Sequence, residues 1–318
     1  MSGIYGRESG SPLYQWHRRM QTRLGNAAVL WMARRWQRLP EGLARRLGIG
    51  MGAAMRIISP RHARIVMTNL RLAFGGEKSE AELAGIAKAC YRHLGLCLTE
   101  FVRLPAMGAE DIRQMAELRG REHIEAALER GRGAILLTGH VGNWEMAGSR
   151  IAAEGYPVNV IARAQRDTEI TECVRRTREA MGMRVLHRRA AVRGSLRALR
   201  DNELLGILLD QNAGDDGVFV DFFGHLASTA PGAAAFALKT GAPVLPTFGF
   251  RKPDGTHTIE VGEPVPLVNT GDRDRDIYEN TARYTQIIEE RIRARPEQWF
   301  WLHKRWKARP PEERGASG

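Results

Sequence analysis

Short apolar runs alternate with amphipathic stretches along most of the chain after residue 119. A short apolar run that ends in glycine or a polar residue is typical of a buried strand, whereas apolar residues at every third or fourth position are typical of a helix. The runs predict strands at 134–138, 157–162, 183–187, 204–209, 243–251 and 256–262. The stretches between them predict helices at about 121–130, 143–154, 168–181, 190–202, 230–240 and 275–295. This alternation predicts an α/β fold with a largely parallel central sheet flanked by helices.

The chain before residue 119 shows no alternating strand pattern and predicts helices. Its first part, residues 13–58, combines tryptophans with many arginines, as do helices that lie in a membrane interface. The alternative is a soluble helical cap whose tryptophans form a core. No apolar run reaches the roughly 18 to 20 residues that span a bilayer. We therefore expect a flexible N-terminus at 1–12, a helical membrane-associating region at 13–118, an α/β domain at 119–307 and a flexible tail at 308–318.

The composition indicates a globular protein that attracts anions. Of the 318 residues 43% are hydrophobic, and the formal net charge is +12 with a pI near 10.2. The arginines are spread over most segments, and the sequence contains no helix-turn-helix, zinc-finger or aromatic RNA-binding motif, so we expect no nucleic-acid partner. An anionic lipid surface or an acidic protein partner explains the charge at least as well.

The cysteines and the N-terminus both indicate a reducing, cytoplasmic environment. Cys90, Cys97 and Cys173 are an odd number in a long chain, which argues against a disulfide framework. Residues 1–12 lack the charged-then-apolar pattern of a secretory signal. We therefore expect the protein on the cytoplasmic side of a membrane.

His140 and Glu145 are the strongest candidates for catalysis. His140 follows the predicted strand 134–138, and the two residues bound the run His140-Val141-Gly142-Asn143-Trp144-Glu145. On one helix, side chains five residues apart would point about 140° away from each other. A tight turn at Gly139 and Gly142 would let the carboxylate reach back to one imidazole nitrogen, leaving the other to take a proton from a hydroxyl. A structural ion pair is the alternative.

Other polar and aromatic positions add to this candidate site. In parallel sheets ligands bind at the carboxyl ends of strands, and Asp210 ends the predicted strand 204–209. No second histidine lies at the helical zinc spacing from His140, so we expect no metal. Residues 299–307 interleave aromatics with cations, which fits packing against the sheet, a membrane anchor or a nucleic-acid surface.

Four motifs, in this order, carry a resemblance to a known family. They are Asn69-Leu70-Arg71-Leu72-Ala73-Phe74, the run around His140, Asp210-Gln211 with Phe219-Val220-Asp221-Phe222-Phe223-Gly224, and the segment 295–307. With these motifs the chain resembles the lipid A biosynthesis late acyltransferases, the lauroyl and myristoyl transferase family within the lysophospholipid acyltransferase-like group. The resemblance implies that the α/β domain transfers a fatty acyl group from a thioester, usually on acyl carrier protein, to a hydroxyl of a glycolipid, without a metal or redox cofactor.

The resemblance also implies roles for individual residues. His140 would be the general base, Glu145 would orient its imidazole, and amides around Gly142 to Trp144, with Asn143 among the substrate contacts, would stabilise the oxyanion. Arg163, or else Arg178, would face a phosphate of the acceptor, unless either is only a surface cation. Asp210 would be a structural or substrate-orienting carboxylate, or simply cap a turn. Phe223 and Gly224 would form part of the acyl-site wall, or belong to the core.

The implied partners are acyl carrier protein, a glycolipid acceptor and an anionic membrane, all of which suit a basic protein. Because charges interrupt the N-terminal apolar segments, we expect peripheral or monotopic attachment to the cytoplasmic face of the bacterial inner membrane. The nearest alternative is an acyltransferase for a phosphatidylinositol mannoside, a lysophospholipid or an aminolipid, with acyl-CoA as a second candidate donor. A non-enzymatic membrane-binding protein and a metal-dependent hydrolase are alternatives of other classes.

Overall fold

A computed structural model describes residues 33–162, 168–187 and 191–310. Three long helices precede the sheet. They are α1 at Glu41–Ile58, α2 at Pro60–Phe74 and α3 at Glu80–Arg103. Helix α3 begins with a capping box, in which Ser79 and Glu82 satisfy each other's backbone amides. None of the helices in the described residues combines the length and the apolar character that crossing a bilayer requires.

The rest of the chain alternates strands and helices. The strands are β1 at Ala116–Arg119, β2 at Ala134–Thr138, β3 at Val158–Ala162, β4 at Met183–His187, β5 at Leu204–Leu208, β6 at Val218–Phe222, β7 at His225–Thr229, β8 at Val244–Arg251 and β9 at His257–Val261. The helices are α4 at Ala109–Met115, α5 at Arg121–Leu128, α6 at Trp144–Ala153, α7 at Thr168–Ala180, α8 at Ala191–Arg200, α9 at Gly232–Thr240 and α10 at Arg273–Ala294.

Seven strands form the central sheet in the order β1-β9-β8-β2-β5-β3-β4. All neighbouring pairs are parallel except β8 with β9, so the predicted largely parallel sheet is confirmed. Strand β5 lies directly beside β2, with Thr138 opposite Leu208. The carboxyl ends of these two strands therefore meet at one edge of the sheet, and the residues that follow each strand lie next to each other there.

Helices cover both faces of the sheet, and each face has its own core. The alternation of side chains along β2 shows this division, because Ile135 and Leu137 point into one core and Ala134 and Leu136 into the other. The first core includes residues of α2, α3, α8, α9 and α10, and the second includes residues of α4, α5 and α6. Since α2 and α3 share a core with the strands, the described N-terminal helices pack directly onto the sheet.

Helix α1 packs unusually closely on α3. A Cβ added to Gly48 would lie 2.9 Å from the carbonyl oxygen of Gly95, and one added to Gly52 would lie 2.1 Å from that of Tyr91. Only glycine permits such an approach of the two backbones. Helix α1 also carries the exposed apolar side chains Leu43, Leu47, Ile57 and Ile58, of which the last is 80% exposed.

The six predicted strands and the six predicted helices after residue 119 are all present, with ends within a few residues of the prediction. Two features were not predicted, namely strand β1 and the antiparallel hairpin β6–β7. The domain boundary near residue 119 stays a prediction, and β1 begins just before it. Of the predicted interfacial helices at 13–58, residues 13–32 lie outside the described residues, and 33–58 include helix α1.

Candidate active site

His140 follows β2 at the carboxyl edge of the sheet, in a turn that leads into α6. The turn needs glycine at position 142, where φ is +63° and an added Cβ would lie 2.1 Å from the carbonyl oxygen of Gly249. The amide of Gly142 donates to the carbonyl of Gln298 over 2.7 Å, and that of Asn143 donates to the carbonyl of Gly249 over 2.7 Å. These bonds fix the turn to β8 and to the C-terminal segment. They also occupy two of the amides that the sequence assigned to an oxyanion site.

The carboxylate of Asp210 holds His140 at two points. Its Oδ1 lies 2.8 Å from Nδ1 of the imidazole, and its Oδ2 accepts the backbone amide of His140 over 2.7 Å. Asp210 follows β5, and the adjacency of β5 to β2 brings the two residues together. The orienting carboxylate of His140 is therefore Asp210, whose predicted role was a structural or substrate-orienting one.

Three C-terminal side chains hold the segment that carries Asp210. The indole of Trp299 donates to Oδ2 of Asp210 over 2.7 Å, and Arg305 donates to the carbonyl of Gln211 over 3.4 Å. The backbone amide of Asn212 donates to Nε2 of His303 over 2.9 Å. The aromatic and cationic residues at 299–307 thus pack against the edge of the sheet, which was one of the three predictions for them.

These contacts determine the charge state of Asp210. Burial acts to raise its pKa, but the contacts from His140 and Trp299 outweigh burial and lower the pKa to about 2. Asp210 is therefore a carboxylate at neutral pH and only accepts hydrogen bonds. In neutral imidazole the proton then lies on Nδ1, facing Asp210.

The second imidazole nitrogen is left as the basic one. Nε2 of His140 lies 3.3 Å from the side-chain amide of Gln211, which donates to it. The His140 side chain is 21% exposed, whereas that of Asp210 is 2% exposed. Trp144 packs edge-on against the imidazole with ring centroids 4.7 Å apart. His140 therefore has a buried carboxylate on Nδ1, while Nε2 is an acceptor that contacts the amide of Gln211.

Glu145 lies elsewhere than the sequence predicted. Its carboxylate pairs with Arg178, with Nη2 at 2.6 Å, and also accepts the indole N–H of Trp144 over 3.1 Å. The prediction that Glu145 holds the imidazole of His140 is wrong, because Asp210 occupies that nitrogen and the first turn of α6 directs Glu145 toward α7. Arg178 in turn is ion-paired within the protein.

A small cavity of about 50 Å³ lies between α6 and the sheet. Its apolar lining includes Leu136, Ile151, Val160, Met183 and Leu208, and Glu145 and Arg178 are among its polar residues. Trp144 lines the cavity as well as contacting the imidazole of His140. The indole ring of Trp144 therefore lies between the imidazole of His140 and an apolar cavity.

A buried polar network supports the turn from the side of α3. Glu100 pairs with Arg251 over 2.7 Å and accepts the side-chain amide of Asn143 over 2.6 Å. Burial acts to raise the pKa of Glu100, but contacts from His257 and Arg251 outweigh it and lower the pKa to about 2. Nε2 of the buried His93 donates to the carbonyl of Gly142 over 3.0 Å, and burial lowers the pKa of His93 to about 4, so it is neutral.

Three other predicted site residues make hydrogen bonds or turns within the protein itself. Asn143 caps α6 by accepting the amide of Met146, so that both ends of its side-chain amide are bonded within the protein. Phe223 and Gly224 form the two-residue turn of the hairpin β6–β7, with φ of +59° and +75°. The ring of Phe223 packs on Phe74, and neither turn residue lines the cavity beside His140. Arg163 lies outside the described residues.

The sequence of this chain matches the model of one protein family, described as bacterial lipid A biosynthesis acyltransferase, over residues 12–308. The chain belongs to this family. It is therefore an acyltransferase, and the site at His140 is the candidate for the chemistry of the family.

Curated relatives fall into two groups by acceptor name. The lipid A biosynthesis lauroyltransferase of Escherichia coli is 27% identical over 89% of this chain and 90% of its own length. The palmitoleoyltransferase of the same organism is 26% identical over 90% of each chain. A phosphatidylinositol mannoside acyltransferase of Mycolicibacterium smegmatis is 28% identical over 68% of this chain and 71% of its own. These relatives are thus named for more than one acceptor.

Sequence reasoning missed Trp299 and Gln211 as parts of the acyltransferase site. Both stand in motifs that carried the resemblance, yet neither has a residue type that signals catalysis. Asp210 could be found from the sequence because it directly follows a predicted strand, as His140 does. Among the described residues no group of three or more histidine, cysteine, aspartate or glutamate side chains is arranged to hold a metal ion.

Proposed function

We propose that this chain transfers a fatty acyl group from an acyl thioester, carried by acyl carrier protein, to a hydroxyl of a lipid A precursor or similar glycolipid. His140 is the general base in this proposal, and Asp210 orients it. The observation that carries the proposal is the bond between Asp210 and Nδ1 of His140, which directs Nε2 of this partly exposed imidazole toward accepting the hydroxyl proton in place of the contact from Gln211. The similarity to lipid A acyltransferases over nine-tenths of the chain supports the acceptor class.

The proposed reaction follows from this geometry. The acceptor oxygen attacks the thioester carbonyl carbon while Nε2 of His140 takes the hydroxyl proton. Asp210 stabilises the imidazolium that forms, as a carboxylate partner does in other base-assisted acyl transfers. When the carbon–sulfur bond breaks, the leaving thiolate takes the proton from the imidazolium, and the histidine is neutral again.

The charge on the tetrahedral intermediate needs hydrogen-bond donors. Since the amides of Gly142 and Asn143 are already bonded, we assign this role to the N-terminus of α6, where the amides of Trp144 and Glu145 have no intrahelical acceptor. Helix N-termini stabilise negative charge close to them, and the side chain of Asn143 satisfies only the amide of Met146.

The cavity next to Trp144 is proposed to take the first methylene groups of the donor's acyl chain, because a volume of about 50 Å³ is too small for the whole chain. Its lining is mostly apolar, and burial of methylene groups there stabilises the bound chain by about 0.8 kcal/mol for each group. The ion pair of Glu145 and Arg178 would then lie beside the polar end of the acyl group, where it keeps a cation close to the acceptor or thioester.

Attachment to the cytoplasmic face of the bacterial inner membrane is proposed to be peripheral, through α1. The exposed apolar side chains of this helix lie among Arg46 and Arg56, and the whole chain carries a net charge of +12. An amphipathic helix with cations at its borders binds anionic interfaces by burial of its apolar face and by charge. Arg45 of the same helix donates to the carbonyl of Asp254 in the β8–β9 turn, which places α1 at the edge of the sheet where His140 lies.

A phosphatidylinositol mannoside is the second candidate acceptor, favoured by the relative from Mycolicibacterium smegmatis. Transfer assays separate the two acceptors if each is incubated with the purified full chain, membrane vesicles and acyl carrier protein loaded with a fatty acid. Mass spectrometry should detect a gain of one acyl chain on the lipid A precursor. A gain only on the mannoside would overturn the acceptor, and use of acyl-CoA alone would overturn the donor.

His140→Ala tests the base in the same assay. The variant should lose about 10² to 10⁴ of the transfer rate, because a positioned general base contributes a factor of that size. His62→Ala is the matched control, since His62 lies on the exposed side of α2 with its ring bonded only to Ser59. Full activity in His140→Ala would refute the proposed mechanism.

A further inference from the structure

A second cavity lies far from the chemistry, in the groove between α8 and α9. It has a volume of about 500 Å³, within the range of small-molecule sites. Its floor is apolar and includes Leu196 and Leu199, and its walls carry four cations and no carboxylate. The cations are Arg132, Arg193, Arg200 and Lys239.

These four cations are not neutralised by the protein. Throughout the described ranges none of them forms an ion pair, and the only hydrogen bond of Arg200 goes to the carbonyl of Leu196 in its own helix. Arg197, on the same helix, pairs instead with Asp201 over 3.3 Å. All four side chains are exposed, so bulk water alone screens their mutual repulsion.

Helix dipoles offset only part of this charge. The groove runs along α8 from Arg193 to the C-terminus and also reaches the C-terminus of α9, where the guanidinium of Arg132 lies 2.6 Å from the place that a Cβ on the capping residue Gly241 would take. Each C-terminus contributes about half a negative charge, so two of them leave about three of the four positive charges uncompensated. An anion with two or more charges fits this excess.

The position of the groove indicates where the anion comes from. Arg132 precedes β2, and Thr240 of the lining ends α9 just before β8, so the groove opens at the amino edge of these parallel strands. His140 and the contact of α1 with the β8–β9 turn lie at the opposite, carboxyl edge. If α1 rests on a membrane, this groove faces away from it and toward solution.

We propose that the groove between α8 and α9 binds a soluble phosphate-bearing anion at a site separate from the acyl-transfer site. Arg132 and Arg200 hold the phosphate groups, because the planar guanidinium matches two phosphate oxygens at once. Lys239 adds positive charge, and Arg193 extends the site along α8, since Arg193 and Arg200 are two helical turns, about 10 Å, apart. Leu196 and Leu199 contact whatever apolar part the ligand carries.

Calorimetric titration of the full chain with inorganic diphosphate, at constant ionic strength set with sodium chloride, tests this site. Wild type should bind one diphosphate, and Arg132→Gln and Arg200→Gln should each weaken binding about tenfold, as expected for the loss of charge-assisted hydrogen bonds. Arg197→Gln is the matched control, because this arginine is on the same helix and has its own carboxylate partner. It should bind diphosphate as wild type does.

A vesicle-binding experiment distinguishes a soluble phosphate compound from a lipid headgroup as the ligand of the groove. Vesicles of phosphatidylcholine with phosphatidylglycerol should bind wild type and an Arg132→Gln/Arg200→Gln double variant equally. Loss of vesicle binding in the double variant would assign the groove to lipid headgroups and overturn the proposal. Absence of diphosphate binding in wild type, or equal binding by Arg132→Gln, Arg200→Gln and Arg197→Gln, would also overturn it. Because these substitutions are on the surface, circular dichroism should show unchanged folding.

Discussion

Asp210 lies 2.8 Å from Nδ1 of His140, although 70 positions separate the two residues in the sequence. The pair exists because β5 is paired with β2, so that two residues from different strand ends meet at one edge. Glu145, only five residues from His140, lies instead in an ion pair with Arg178. Closeness in sequence is therefore a poor guide to which carboxylate holds the base.

The Asp210 contacts predict a particular acid sensitivity. The folded-state pKa of about 2 lies below the ordinary value of 3.8, so the stabilisation is complete above about pH 4 and is lost as the pH falls through about 2. Asp210→Asn lacks this contribution. The difference in unfolding free energy between wild type and Asp210→Asn, from urea titrations, should therefore shrink between about pH 4 and pH 2. A constant difference would contradict the pairing, and Asp201→Asn, which removes an exposed partner of Arg197, is the control.

Glu145 and Arg178 should act as one unit. Removal of either leaves the other unpaired beside the cavity, so Glu145→Ala and Arg178→Ala should each lower transfer, and the double variant should be little worse than either. A double-mutant cycle on kcat/KM should give a coupling of about 0.5 to 3 kcal/mol. Arg176→Ala, which breaks an exposed ion pair on the same helix, should leave transfer unchanged. Strict additivity of the two losses would refute the coupling.

Substitution of Trp299 and of Trp301 allows a matched test of the hydrogen bond from Trp299 to Asp210. Both rings are buried, but the indole of Trp299 bonds Asp210 whereas that of Trp301 bonds the carbonyl of Pro296. Trp299→Phe should lower kcat about tenfold or more, since a hydrogen bond to a carboxylate is lost. Trp301→Phe should lower the melting temperature with little change in kcat. Equal effects of the two substitutions on kcat would show that Trp299 has only a packing role.

Gly142→Ala should damage both folding and activity. The left-handed backbone alone costs about 1 to 3 kcal/mol for alanine, and the methyl would also collide with the carbonyl of Gly249. Gly85→Ala is the opposite control, because this exposed position in α3 has open space around it and should gain about 0.5 to 1 kcal/mol. Thermal unfolding measures both. A Gly142→Ala protein as stable as wild type would mean that the turn is not constrained as described.

Met183→Ala tests whether the cavity under α6 takes the first methylene groups of the acyl chain. The Met183 sulfur packs against Gly148 and lines the cavity, so its removal should shift donor preference toward longer chains. Met181→Ala is the matched control, since Met181 is equally buried, contacts Ser149 and does not line the cavity. Both variants should lose about 2 to 5 kcal/mol of stability. Competition assays with mixed acyl thioesters measure the preference, and an unchanged preference in Met183→Ala would exclude this cavity.

Hydrophobic patterning was enough to predict most of the sheet. The runs that form β2 and β5 are short, apolar and bounded by glycine or polar residues, so that their ends were predicted closely. Strand β1 escaped prediction because Ala116–Arg119 is four residues long and half polar. Its partner β9 lies far away in the chain, and only the folded sheet identifies it as a strand.

The position of His140 after a strand could be predicted from local sequence, but the side chains that contact it could not. His140 stands out because a strand, a glycine and a helix start follow one another within a few residues. The roles of Asp210, Gln211 and Trp299 depend on which strands are neighbours, and the order β8-β2-β5-β3 cannot be read from a list of predicted strands. Nor does the pattern of residues 299–307 distinguish a membrane anchor from a clamp on a buried carboxylate.

The hydrogen bond from Trp299 to Asp210 has a consequence for biosynthesis. Ribosomes make proteins from the N-terminus, so the histidine and the aspartate emerge well before the tryptophan that completes their geometry. A nascent chain that has folded its strands still lacks Trp299, His303 and Arg305 around the aspartate segment. Translation thus delays the completion of this site until the segment with Trp299 has left the exit tunnel and docked.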